Sequence, residues 1–284
     1  MSAQEDPGVH RRRVATVLVG ARKAQGLSQQ DVADEMGWSL AKQVRIEAGR
    51  VSVSKTGLRA LIYFYGIGDR EAELLGAARA GRGRAWWQDF GVAPLYGRYL
   101  DCEQDACTLS SYHPVMIDWL LQTADYTALV SNCIPRERPG SEQIRGLVRR
   151  RQELLQPGCG RQATFVVDEA ALRRVIGGRK VMVAQLDHLT GLMDQPHISL
   201  HVAPLDSQGF YLEHPVVLQE LPDGEAVAFL EGVAKDKLVS PPDSMFALCH
   251  RLFRDLLESS LSGVAARALI EQVRADHLRQ RAPT

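Results

Sequence analysis

Between residues 27 and 50 the chain carries basic, amide and aliphatic side chains in a combination that suits contact with nucleic acid. Lys42 and Arg45 could neutralise phosphates, and the amide of Gln43 could pair with an adenine edge. The aliphatic Leu40 and Val44 could touch the methyl group of thymine. We expect DNA contacts from Ser39, Leu40, Lys42, Gln43, Val44 and Arg45, and phosphate contacts from Gln29 and Arg50.

Two short helices joined by a tight turn would position these side chains. Ser28 and Ser39 are typical helix N-caps, because a hydroxyl can accept a hydrogen bond from an otherwise unpaired amide. Gly37 can end the first helix in the left-handed conformation. Ile46 can turn inward while Lys42 and Arg45 stay outside. This arrangement allows a protein to lay its second helix in the major groove.

The segment resembles the helix-turn-helix of Xre/Cro-type regulators, which runs close to W-S-Q-S-K-V-S-R-I-E-x-G-R. The matching residues are Trp38, Ser39, Lys42, Arg45, Ile46, Glu47, Gly49 and Arg50. Leu40, Gln43 and Val44 depart from the pattern. A slight rotation could bury Val44 instead of Gln43 and present Gln43 to the groove, because the two are about 100° apart on a helix. The alternative is a helical hairpin that binds nothing.

Charge favours the DNA-binding interpretation. Residues 1 to 84 hold 14 Lys and Arg against 9 Asp and Glu, a net charge of +5, whereas residues 85 to 284 hold 20 against 25, a net charge of −5. A basic domain beside an acidic one is typical of a DNA reader with a regulatory module. The basic run at Arg11, Arg12 and Arg13 is either a phosphate contact or a solvated helix start.

Helical periodicity predicts an all-α, five-helix domain over residues 1 to 84. Apolar residues recur at helical spacing from Val14 to Ala21, which predicts a first helix over about residues 9 to 25. Similar spacing after residue 54 predicts a fourth and a fifth helix. The glycines at 81 and 83 interrupt the pattern and mark the expected boundary.

Length and composition predict a second, larger domain over residues 85 to 284. The chain has 284 residues, of which 45% are apolar, so each of two domains can hold a core. No stretch approaches ~20 consecutive apolar residues, and the N-terminus is charged rather than signal-like. The five cysteines show no metal-pair spacing and fit a reducing compartment. We expect a cytoplasmic protein without membrane contact.

The second domain is predicted to be mixed α+β with a small, mainly antiparallel sheet. Strand patterns occur at residues 164 to 167, 197 to 202, 216 to 221 and 227 to 230. Residues 100 to 112 fit a strand or a helix. Helices are predicted over residues 141 to 155, from residue 181, over 246 to 261 and over 264 to 278. The overall fold class is therefore α+β.

A second resemblance covers nearly all of residues 86 to 275. The chain is similar to actinobacterial regulators in which an Xre-type helix-turn-helix precedes a large antitoxin-like domain of unknown function. Asp118-Trp119 departs from the usual Pro-Gly, so this turn should be built differently. The residues that carry the likeness are Trp86, Trp87, Tyr99, Leu100, Glu103, residues 120 to 123, Asp125, Tyr126, Arg151, Gln152, Asp168, Glu169, Leu172, Gly177, Gly178, Met182, Gln185, Leu186 and Glu231.

That resemblance implies DNA binding through the N-terminal motif and, commonly, a small protein partner encoded nearby. Polar residues at the matching positions form a possible ligand or partner site. They are Gln122, Asp125, Tyr126, Arg151, Gln152 and Glu231. The competing interpretation makes such residues buried ion pairs and helix caps, as a carboxylate at Asp168 would be before a helix.

No catalytic constellation, cofactor loop or metal motif is recognisable. His197 and His201 would lie ~13 Å apart on the predicted strand, too far to share one ion. We therefore expect a dimeric transcriptional regulator that binds double-stranded DNA and is not an enzyme. The alternative is an antitoxin-like interaction module whose helix-turn-helix reads DNA poorly or not at all, which Leu40 and Val44 would favour.

Overall fold

The computed structural model describes residues 7–49, 51–81, 85–133, 140–206, 212–222, 224–232 and 235–279. The chain divides into two compact units, Met1–Asp89 and Phe90–Thr284. This division lies close to the predicted boundary after residue 84. That position itself falls in residues 82–84, which lie outside the described ranges.

Within its described residues, the first unit consists of five α-helices. They are α1 (Pro7–Ala24), α2 (Gln29–Glu35), α3 (Leu40–Glu47), α4 (Lys55–Phe64) and α5 (Glu71–Ala80). Their apolar faces enclose one core that includes Leu18, Val32, Ile46, Leu58 and Leu74. The all-α, five-helix prediction for this part of the chain is confirmed.

Local sequence explains how α2 and α3 are separated. Ser28 accepts a hydrogen bond from the Asp31 amide, and the Asp31 carboxylate accepts one from the Ser28 amide, which forms a capping box. Gly37 follows α2 with φ +64°, a conformation that side chains with a Cβ rarely adopt. Ser39 then caps α3 by accepting from the Lys42 amide. The turn between the two helices is therefore encoded residue by residue.

The second unit builds helices around a sheet. Its helices are α6 (Pro94–Asp105), α7 (Ala124–Asn132), α8 (Ser141–Gln152), α9 (Glu169–Arg173), α10 (Arg179–Leu192), α11 (Ser244–Glu258) and α12 (Gly263–Arg279). Its strands are β1 (Thr108–His113), β2 (Gln162–Asp168), β3 (Ile198–Ala203), β4 (Val216–Glu220), β5 (Ala226–Leu230) and β6 (Lys237–Val239). The ambiguous segment 100 to 112 contains the end of α6 and most of β1.

The sheet is mixed, with strand order β3-β2-β1-β4-β5-β6. The pairs β1-β2 and β2-β3 are parallel because helices cross over between them. The pairs β1-β4, β4-β5 and β5-β6 are antiparallel. The predicted α+β class is confirmed, with antiparallel pairings in the majority among the described strands.

One face of the sheet packs against α11. Tyr112, Val216 and Leu218 on the strands meet Cys249 and Phe253 on the helix. In the described part of the chain, no helix is long and apolar enough to span a bilayer.

Candidate nucleic-acid interface

Helix α3 presents most of the predicted DNA-contacting side chains on its outer surface. Ser39, Lys42 and Arg45 are exposed, and Leu40 is 42% exposed. Val44 is half-buried. Arg50, which we expected at a phosphate, lies outside the described residues. The short helix and its caps therefore place one basic and aliphatic surface toward the exterior of the first unit.

Gln43 is the exception, because α3 buries it and does not make the slight rotation that could have buried Val44 in its place. Its side chain is fully buried, and its Nε2 donates to Glu47 Oε1 at 2.7 Å. A buried carboxylate is costly unless hydrogen bonds compensate it, so Gln43 is retained inside rather than presented to the groove. In this conformation Gln43 cannot reach a base. The signal in the sequence was the spacing of four residues between Gln43 and Glu47, which places both on one side of a helix.

Glu47 collects hydrogen bonds from three helices. Arg22 of α1 donates from Nε at 2.7 Å and from its terminal nitrogen at 2.9 Å, and Gln29 of α2 donates at 2.8 Å. Burial acts to raise the pKa of Glu47, but the hydrogen bonds from Arg22, Gln29 and Gln43 outweigh it and hold the pKa below its usual value. Glu47 therefore stays ionised and fixes α3 against α1 and α2.

Gln29 was expected at a phosphate, and the structure places it at the start of α2 with its amide on Glu47. Its side chain is half-buried. Its contribution here is to join α2 to α3, and the phosphate contact stays a prediction.

The two described cations of α3 are also held by neighbours. The Lys42 ammonium lies 4.1 Å from the centre of a Trp38 ring, a cation–π contact. The Arg45 Nε donates to the Ala41 carbonyl at 3.2 Å. Both side chains remain exposed, so their charge is available to a polyanion.

The possible ligand or partner residues in the second unit do not form one common site. Gln152 donates from Nε2 to the Gln122 carbonyl at 2.7 Å, and Gln122 donates to the Ile117 carbonyl at 2.7 Å. Thr127 donates to the Gln122 side-chain oxygen at 2.9 Å. The side-chain amides of Gln122 and Gln152 therefore hold neighbouring backbone segments together by hydrogen bonds. This is the structural role that competes with the ligand-site interpretation.

Arg151 forms a buried ion pair with Glu103. Its Nε and one terminal nitrogen each donate to a Glu103 oxygen at 2.7 Å, and the same terminal nitrogen donates to the Tyr99 hydroxyl at 2.7 Å. Burial opposes the charge, but the Glu103 carboxylate more than offsets it, so the pKa of Arg151 is raised. The Arg151 side chain is therefore part of the core of the second unit.

Of the remaining three residues, Tyr126 bonds Ile117 as Gln122 does, whereas Asp125 and Glu231 are at least partly exposed. Asp125 is exposed in the first turn of α7. Tyr126 is fully buried and its hydroxyl accepts from the Ile117 amide at 3.3 Å. Glu231 is half-buried just after β5.

Sequence reasoning missed a buried cluster around Asp118. This carboxylate accepts from the Ser111 hydroxyl and from the Leu120 amide at 2.7 Å, and it lies 3.2 Å from His113 Nε2. Burial acts to raise the pKa of Asp118, but His113 and Ser111 lower it to about 2. The unusual Asp118-Trp119 was the available signal, because an aspartate there caps the short turn Trp119–Leu121.

The first unit is a helix-turn-helix domain. Residues 11–75 match the family model of that description, which implies DNA binding. Residues 96–272, more than half of the chain, match a domain of unknown function (DUF5753). The chain belongs to this DUF5753 family. No curated protein and no solved structure matches it significantly.

Proposed function

We propose that the protein is a sequence-specific transcriptional regulator of the Xre type that inserts α3 into the major groove. The observation that carries this proposal is the outer surface of α3, where Ser39, Leu40, Lys42 and Arg45 are exposed while Glu47 anchors the inner side. A reading helix must be held rigidly and must present its outer side chains, and α3 meets both requirements. Such a regulator works in the cytoplasm, without catalysis and without a cofactor.

Two copies of the chain would act together, with the second unit as the dimerisation module. Each helix-turn-helix then meets one half-site, about 34 Å from the other. A protected region with two similar half-sites at that spacing supports a dimer. A single short protected site, together with a monomeric mass in solution, contradicts it.

Mobility shifts with a randomised duplex pool test DNA binding. The variant Lys42→Ala/Arg45→Ala removes two exposed cations from α3 and should weaken binding at least tenfold, because phosphate neutralisation supplies much of the affinity. The matched control is Arg149→Ala/Arg251→Ala, which removes the same charge from exposed positions of the second unit. Equal binding by both variants would remove α3 from the interface.

A cavity of about 210 Å³ supports a ligand-sensing role for the second unit. It lies between α11 and the sheet, with Leu218, Phe253 and Leu257 as apolar walls and Thr108 and Ser110 as hydroxyl donors. Gln219, Glu220, His250 and Arg254 also line it. The cavity therefore combines apolar walls with polar and charged groups that could orient a small molecule.

A thermal-shift panel of small metabolites tests the cavity. A stabilising compound should lose its effect in Ser110→Phe, which fills the cavity, and keep it in Ser199→Phe, which alters an exposed position on the same sheet face outside it. A shift that survives Ser110→Phe places the ligand elsewhere.

The second candidate function is an antitoxin-like interaction module that docks a small protein encoded nearby. The exposed Leu40 favours it, because an aliphatic side chain on α3 also suits protein contact. Salt separates the two functions. Binding through several phosphates weakens steeply between low and moderate salt, whereas an apolar docking face does not.

A further inference from the structure

Part of the exposed side of α3 is aliphatic. Leu40, Ala41 and Val44 fall within an arc of about 100° on the helix, and the centre of this arc lies opposite the buried Ile46. Leu40 and Ala41 are exposed, and Val44 is half-buried. We call these three residues the aliphatic stripe. It lies on the side of α3 between the inward-facing Glu47 at one edge and the exposed Arg45 at the other.

The polar side chains of α3 each contact a neighbouring group, although Lys42 and Arg45 remain exposed. Gln43 is buried on Glu47, Lys42 rests over Trp38, and the Arg45 Nε bonds the Ala41 carbonyl. Arg45 and then Lys42 follow the stripe along one side, and both are exposed. No side-chain amide of α3 therefore lies on its exposed side, where it could form two hydrogen bonds with a base.

The major groove offers one hydrocarbon feature to such a surface, the C5 methyl group of thymine. Contact between an aliphatic side chain and that methyl group removes apolar surface from water, which favours binding. At a guanine, cytosine or adenine edge, the same side chains would remove water from polar base atoms without replacing the lost hydrogen bonds. This desolvation would weaken binding. We propose that the aliphatic stripe selects thymine within each half-site through its methyl group. This inference rests on the proposed DNA-binding function.

Replacing thymine by deoxyuridine tests it, because only the methyl group is removed. The full chain first selects its sites from a randomised duplex pool, and the best site is then resynthesised with deoxyuridine at one position at a time. We expect about fourfold weaker binding at each contacted thymine, from the transfer free energy of one methyl-sized group. Flanking thymines outside the contacted positions should tolerate the change.

A double-mutant cycle tests whether the aliphatic stripe causes this loss of affinity. In Leu40→Ala, the same deoxyuridine substitution should cost less than twofold, because the methyl group no longer has its aliphatic partner. The control is Leu278→Ala, which shortens a leucine that is 60% exposed in the second unit and should keep the full fourfold effect. Because both leucines are exposed, neither change should impair folding, and thermal melts check this.

The possible outcomes distinguish thymine selection from DNA binding itself. Specific binding that is unaffected by deoxyuridine at every position overturns thymine selection and leaves DNA binding intact. Failure of the full chain to enrich any duplex overturns both and leaves the stripe as a protein-docking face. A fourfold weakening that persists unchanged in Leu40→Ala also contradicts the assignment.

Discussion

At the scale of single residues, Glu47 links the three helices that define the DNA-binding unit. The replacement Glu47→Gln keeps the shape but leaves the Arg22 guanidinium, 12% exposed, without its counter-charge. Breaking a buried pair in this way costs about 3 kcal/mol. We expect amide hydrogen exchange in α1 to α3 to accelerate roughly a hundredfold.

The control for this prediction is Glu71→Gln, whose partner Arg59 is exposed at the surface of the same unit. Exposed pairs contribute little, so its exchange should be nearly unchanged. Equal exchange in the two variants would show that Glu47 does not hold α3 in place.

The lowered pKa of Asp118 predicts that the stability of the second unit depends on pH. Its pKa of about 2 lies below the unfolded value of about 3.9, so its stabilising effect is present above pH 4 and is lost as the pH falls toward 2. The stability advantage of the native chain over Asp118→Asn should shrink by roughly 2 kcal/mol between pH 5 and pH 2. Urea titrations at several pH values measure this difference. A constant difference across that range contradicts the buried pair with His113.

At the scale of elements, the Arg151–Glu103 pair joins α8 to α6. Both side chains are almost fully buried, and Tyr99 beside them stacks on Phe229 of β5 with ring centres 4.3 Å apart. Glu103→Gln should therefore destabilise the second unit by about 3 kcal/mol in urea denaturation. The double replacement Arg151→Met/Glu103→Leu should recover most of that stability, because no buried charge is left unpaired.

The exposed Arg145–Glu142 pair on α8 provides the comparison. Glu142→Gln should change stability by less than about 1 kcal/mol. If Glu103→Gln were equally mild, the buried pair would not be what docks α8.

The sequence predicted elements wherever local signals agreed. Ser28, Gly37 and Ser39 mark the limits of α2 and α3, and the structure uses all three as expected. The short β6 was missed because three residues at a sheet edge carry too little periodicity. The burial of Gln43 was not predicted from its spacing to Glu47, because Glu47 is itself held inside by Arg22 and Gln29, which lie on other helices. Partners of this kind arise only from tertiary packing.

At the scale of the whole molecule, the neutral chain combines a basic and an acidic part. Residues 1 to 84 carry a net charge of +5 and residues 85 to 284 carry −5. The acidic part gives DNA no electrostatic attraction, so phosphate contacts should come from the first unit alone. Binding should consequently weaken linearly with salt on a log–log plot, with a slope set by few contacts.

The most direct test is fluorescence anisotropy of the full chain on its selected duplex, measured across a salt series. The native chain should bind, and Lys42→Ala/Arg45→Ala should reduce the salt slope by up to about two, one for each phosphate that is no longer neutralised. Arg149→Ala/Arg251→Ala should leave the slope unchanged. A chain that binds no duplex at low salt, or a slope insensitive to Lys42 and Arg45, would contradict DNA binding through α3.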